Sequence, residues 1–151
     1  MTKIGDLLQD IESNIEHGAI LNETVSKANV AWHLDHSLKV INSVIVTLQK
    51  SEADYRWNFN LKRDYFLLMK RIPRGKARAP KAVQSFDEIT PTSIERQLKT
   101  ARFLVKEMEA MHPKTNFKHP YIGKLNLKQA YTFIAIHTQH LLKIIDDILK
   151  K

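Results

Sequence analysis

Three apolar stripes at helical spacing constrain this chain more than any other feature. Val30, His33, Ser37, Ile41, Val44 and Leu48 recur every three or four residues, and Leu34, Val40 and Ile45 widen the stripe. Ile94, Leu98, Ala101, Leu104, Val105 and Met108 repeat the pattern, as do Ala130, Phe133, Ile134, His137, Leu141, Ile144 and Ile148. Only a helix with 3.6 residues per turn puts such positions on one face. The β-branched content of the first stripe suits strands too. Its alternation fails, however, and it outlasts an ordinary strand.

Punctuation places the elements. Ile4, Leu7, Leu8, Ile11 and Ile15 predict a helix from about Ile4 to His17, closed by Gly18. The second runs from about Asn29 to Lys50. Residues 51–58 connect onward, with Tyr55 and Trp57 available to pack over a core edge. A shorter helix covers about Phe59 to Arg71. Pro73, Gly75 and Pro80 then impose a loop to about Pro91. Thr92-Ser93-Ile94-Glu95 fits a capping box opening a helix to about Met111. The segment from His112 to Leu125 reads as loop. Asn126 with Gln129 opens the last helix, which reaches almost to the C-terminus. The fold class is all-α: four long helices in a four-helix bundle, with an additional helical segment and a long basic loop, as one domain over residues 1–151.

Composition narrows the chemistry. Four glycines and five prolines leave the stripes almost unbroken, and the absence of cysteine removes disulfides, thiolate ligands and a protein thiol nucleophile. There is no secretory apolar core at the N-terminus and no apolar run long enough to span a bilayer, so a soluble cytoplasmic protein without a membrane partner is expected. The net charge is +8, and Lys70, Arg71, Arg74, Lys76, Arg78 and Lys81 form a run with no acid among them. Such a run is ordinarily a solvated loop. Beside Tyr55, Trp57 and Phe59 it also has the makings of a stacking surface for single-stranded nucleic acid, although no recognition-helix or RNA-binding signature accompanies it. No phosphate-binding glycine loop, nucleophile elbow or His-Glu zinc-protease motif is present, and no catalytic residue is assigned.

The histidines carry the strongest chemical signal. His33 and His36 lie on the second helix, His137 and His140 on the last, each pair at i, i+3, about 60° apart around its helix. His33 and His137 fall inside the apolar stripes, with His36 and His140 at their flanks. A lone histidine on an apolar face is ordinarily a hydrogen-bonded core residue. Two on different helices weaken that reading, although periodicity alone does not show that the helices face each other; neutral imidazole binds Zn, Ni, Cu or Fe, and three such ligands leave a coordination position open. His17 and His112 sit at helix ends, where a cation suits the helix dipole. His119, preceding Pro120, reads as a packing or loop anchor near a bundle end, with a substrate-loop role as the alternative.

Trp32-His33-Leu34-Asp35-His36-Ser37 followed by an aliphatic helix resembles the second helix of the DinB-like (YfiT-like) metalloenzyme superfamily. His119-Pro120-Tyr121-Ile122-Gly123-Lys124-Leu125, His137-Thr138-Gln139-His140 and the Arg74–Lys81 loop resemble one branch of it, known only as a domain of unknown function. The resemblance spans nearly the whole chain. It implies a four-helix bundle, a tendency to homodimers, and a three-histidine site for a divalent metal, zinc or nickel. One ligand would come from the second helix and two from the last, at i and i+4. His33 and His137 match the first two ligands, but the third position holds Leu141. His140 is the proposed replacement, His36 another, and loss of the metal is the remaining alternative. Some relatives resemble thiol-dependent transferases, which implies a small-molecule substrate and a low-molecular-weight thiol; a hydrolase is the other expectation. A noncatalytic binding or oligomer-forming bundle is the runner-up, and a nucleic-acid module comes third. Asp35 and Gln139 are candidates to orient a ligand imidazole, against a plain solvated role for each.

Overall fold

The computed structural model describes residues 3–73 and 88–150, and is mostly helical with one small sheet. Among the described residues α1 spans Ile4–Asn14 and tightens into a 3-10 turn at Ile15–His17; α2 spans Val30–Lys50, α3 Leu61–Met69, α4 Pro91–Met108 and α5 Leu127–Leu149. Strands β1 (Asn116–His119) and β2 (Gly123–Asn126) precede α5. No helix among the described residues is long and apolar enough to cross a membrane. Of the basic run, residues 74–81 lie outside the described residues, as does most of the loop expected before Pro91.

The caps show why the helices begin where they do. Asn29 accepts from the Trp32 amide at 2.9 Å and starts α2. Asn126 and Gln129 form the expected reciprocal box at 2.9 and 3.0 Å. The box on α4 is not the Thr92–Glu95 pair. Thr90 and Ser93 exchange the two bonds instead, each at 3.0 Å. Pro91 decides this: at the first helical position its missing N–H costs nothing and its fixed φ suits the helix, so the cap falls at Thr90, two residues before Thr92. At the other end α4 stops at Met108, short of Met111, and continues as turn.

Helix α2 packs against both α4 and α5, and α1 lies across the same two helices. Leu8, Leu34, Ile41, Ile45, Leu98 and Ile134 are among the buried residues of the shared core. Val105 sits at its edge, half-buried. The short α3 docks on α5, where the rings of Phe66 and Phe133 stand 6.0 Å apart. Tyr55 is half-buried, but Trp57 and Phe59 face solvent, Trp57 with 69 % of its surface exposed, so they do not cover a core edge as expected.

The segment from His112 to Leu125 is not simply loop. Its second half forms an antiparallel hairpin registered from Asn116↔Asn126 to His119↔Gly123. Strands of four residues are too short for a period-two pattern to stand out, and Pro120 and Gly123 read only as breakers. Gly123 has φ of 76°, where side chains are disfavoured, and an added Cβ would lie 2.8 Å from Asn60 Nδ2. That amide is committed: Asn60 donates to the Ile122 carbonyl at 2.8 Å while its Oδ1 accepts from the Arg63 amide at 3.0 Å, capping α3. Gly123→Ala is therefore expected to cost about 1–3 kcal/mol in urea denaturation, against less than about 0.5 for Lys124→Ala. Equal midpoints for the two variants would remove the strain argument.

Candidate functional site

Packing of α2 on α5, with the hairpin at their side, gathers five of the seven histidines. The ring of His36 lies 5.3 Å from that of His137 across the α2–α5 interface, inclined at 63°. Trp32 stacks on His36 at 4.9 Å and meets His33 edge-on at 5.1 Å. His119, at the end of β1, stands 4.9 Å from Phe133, whose ring is 5.8 Å from His137. His33 and His36 are only 5 % and 7 % exposed, whereas His137 and His140 are half-buried. His36 is thus not at a solvated flank: α2 is covered on both sides, by α4 and by α5, so burial extends beyond the sequence stripe.

Burial governs the electrostatics. His33 is pushed down to about 4, first by desolvation and then by His36 and His140. His137 is pushed down to about 3 by desolvation, then by His36, His140 and His119. His119 falls to about 4 by desolvation. No carboxylate contributes to any of these depressions. At neutral pH all three rings are therefore neutral, each with one N–H and one bare lone pair.

Hydrogen bonds then distinguish the rings. His33 Nε2 lies 2.9 Å from Ser26 Oγ, which also accepts from the Ala28 amide at 3.1 Å. Its Nδ1 is buried and has no hydrogen-bond partner, and the same holds for Nδ1 of His137. Leaving such an atom buried and unpaired costs about 1–3 kcal/mol, so two within one cluster call for an explanation. His119 differs, because its Nδ1 accepts from the amides of Tyr121 and Ile122 at 3.0 and 3.3 Å.

A metal is the first group to test against this arrangement. The bare, buried imidazole nitrogens of His33 and His137 are suitable donors for a borderline divalent ion. The third ligand position implied by the resemblance is apolar here: Leu141 is 6 % exposed and belongs to the core. His140 precedes it and is close enough to bear on both His33 and His137. Among the described residues no three His, Asp or Glu side chains already stand in a metal-holding group. The donor chemistry fits; the three-ligand geometry is not preassembled.

The two candidates to orient a ligand imidazole sit in different surroundings. Asp35 is not solvated but 2 % exposed, and holds Lys39 at 2.8 and 2.9 Å and the Gln97 amide at 2.8 Å. Gln139 is exposed. Ser26, in the turn before α2, bonds the His33 imidazole, and no motif or spacing singled it out. Comparison with protein-family models, curated proteins and solved structures finds no match to this chain.

Proposed function

We propose that this chain is a DinB-like four-helix bundle in which His33, His137 and His140 hold a divalent cation, zinc or nickel. It would serve a metal-dependent transfer or hydrolysis on a small molecule. The observation that carries this reading is the pair of buried, unpartnered Nδ1 atoms on facing helices. A cation would satisfy both. When Nδ1 of His33 is a ligand, its Nε2 carries the proton and donates to Ser26 Oγ, the kind of outer bond that fixes a ligating ring. The ion, when bound, supplies a Lewis-acid centre with a coordination position left for substrate. Since the chain has no cysteine, a thiol nucleophile would come from a low-molecular-weight cosubstrate.

Because the three rings are not preassembled, binding must include side-chain rotation, and affinity should fall below that of a closed three-histidine site. Neither His33 nor His137 needs to lose a proton above about pH 5, so affinity should vary little with pH between about 6 and 8 on their account.

The test is metal content after reconstitution with zinc or nickel and dialysis, in protein purified without a polyhistidine tag. About one equivalent per chain is expected, falling below about a tenth in His33→Ala and in His137→Ala. Undiminished metal in either variant would refute the ligand assignment. Less than about a tenth of an equivalent in the parent protein would leave the noncatalytic bundle as the better reading.

A further inference from the structure

The hairpin turn determines what His119 can do. Pro120 has no N–H, so the first amides available after His119 are those of Tyr121 and Ile122, and both point at its Nδ1. A backbone amide can only donate. Nδ1 therefore holds a lone pair, and the proton of the neutral ring is on Nε2. In this state His119 is poorly suited to be a fourth metal ligand, because its one bare nitrogen is already committed to the turn. It is a fixed N–H donor instead.

Its surroundings indicate what that donor meets. Among the described residues no protein group accepts from Nε2. The ring is half-buried between Phe133 at 4.9 Å and Tyr121 at 5.8 Å, with Phe117 at 6.2 Å, and shares Phe133 with His137. Burial pushes the His119 imidazole down to about 4, so the ring is neutral and the donor persists through the physiological range. No carboxylate bears on His33, His119 or His137, while the chain as a whole is +8. Such a place offers an N–H and presents aromatic walls.

We propose that His119 donates its Nε2–H to an anionic oxygen of a small ligand, of the carboxylate class, seated beside His137 with its apolar part against Phe117 and Phe133. This deepens the reading of the cluster as a substrate site and rests on it for the role of the ion, but not for the state of His119. The aromatic wall sets the selectivity: a carboxylate with an apolar body fits better than a fully hydrated inorganic anion.

Two measurements test it. In metal-free protein labelled with ¹⁵N, long-range imidazole spectra at pH 7 should show Nδ1 of His119 bare and Nε2 protonated; the opposite tautomer would overturn the proposal. Sodium acetate, titrated at constant ionic strength into metal-free and zinc-reconstituted protein, should shift the His119 Nε2–H resonance saturably. His119→Phe should weaken acetate binding about tenfold or more, and His119→Gln, which keeps an N–H, should restore it to within about threefold. Metal content should be unchanged in both variants. Acetate affinity unaffected by His119→Phe, or a saturable shift absent from both forms, would overturn the proposal, and so would loss of metal in His119→Gln. Failure of the parent protein to take up metal would sink the metal reading alone. A His119 shift with acetate in the metal-free form would still uphold the donor.

Discussion

At pH 5 the chelated, metal-free protein is expected to be less stable than at pH 7 by roughly 3 kcal/mol, a figure reduced for partial solvent access. His33 and His137 titrate near 4 and 3 in the folded chain, against 6.5 for an ordinary imidazole. Between those values the unfolded chain binds more protons than the folded one, so lowering the pH pulls the equilibrium towards unfolding. Their stabilising effect is complete above about pH 6.5 and is lost progressively as the pH falls towards the folded values. His119 adds to the loss in the same direction. Urea denaturation at several pH values would measure it, with the double variant His33→Gln, His137→Gln as reference. A parent protein as stable at pH 5 as at pH 7 would show that these rings are not held neutral. With metal bound the fall should be steeper, since protons then compete with the ion for the same nitrogens.

Arg63→Ala is expected to be comparably damaging, by about 2–5 kcal/mol. Arg63 is 0 % exposed although it is the third residue of α3. Its guanidinium donates to the Asn58 carbonyl at 2.8 Å, Asn58 Oδ1 at 3.2 Å, Tyr55 Oη at 3.3 Å and Asp64 Oδ1 at 3.0 Å. These bonds fasten the irregular segment 55–58 to α3, whose cap, Asn60, also holds the hairpin carbonyl of Ile122. Truncation would leave a void between these elements and release segment 55–58 from α3. Lysine cannot rescue it, because one ammonium cannot reproduce the planar fork. Hydrogen exchange at the amides of Tyr55 and Asp64, bonded to Lys114 and Asn60, would report the loss locally. Protection there reduced by less than about tenfold, roughly 1.4 kcal/mol, would mean that Arg63 is not the brace described.

What was legible in the sequence follows from the range of the interactions. Helical stripes repeat within four residues and caps close within three, so α1, α2, α4, α5 and the Asn126–Gln129 box could be read from neighbouring residues alone. Even the α4 cap failed by a local rule, when Pro91 took the first helical position. The hairpin was hidden because its strands are four residues each and their partner is known only once the chain turns back.

The site divides in the same way. The sequence by itself determined that His33 and His137 face inward, since each lies on an apolar stripe, and that Leu141 extends the stripe of the last helix. Only the tertiary structure decided that His36 is buried, that Ser26 bonds His33, and that His119 joins the cluster with its Nδ1 held by the turn amides. The reason is physical: periodicity records which way a side chain points from its own helix. The neighbours it meets, and so its proton, depend on how helices and hairpin pack together.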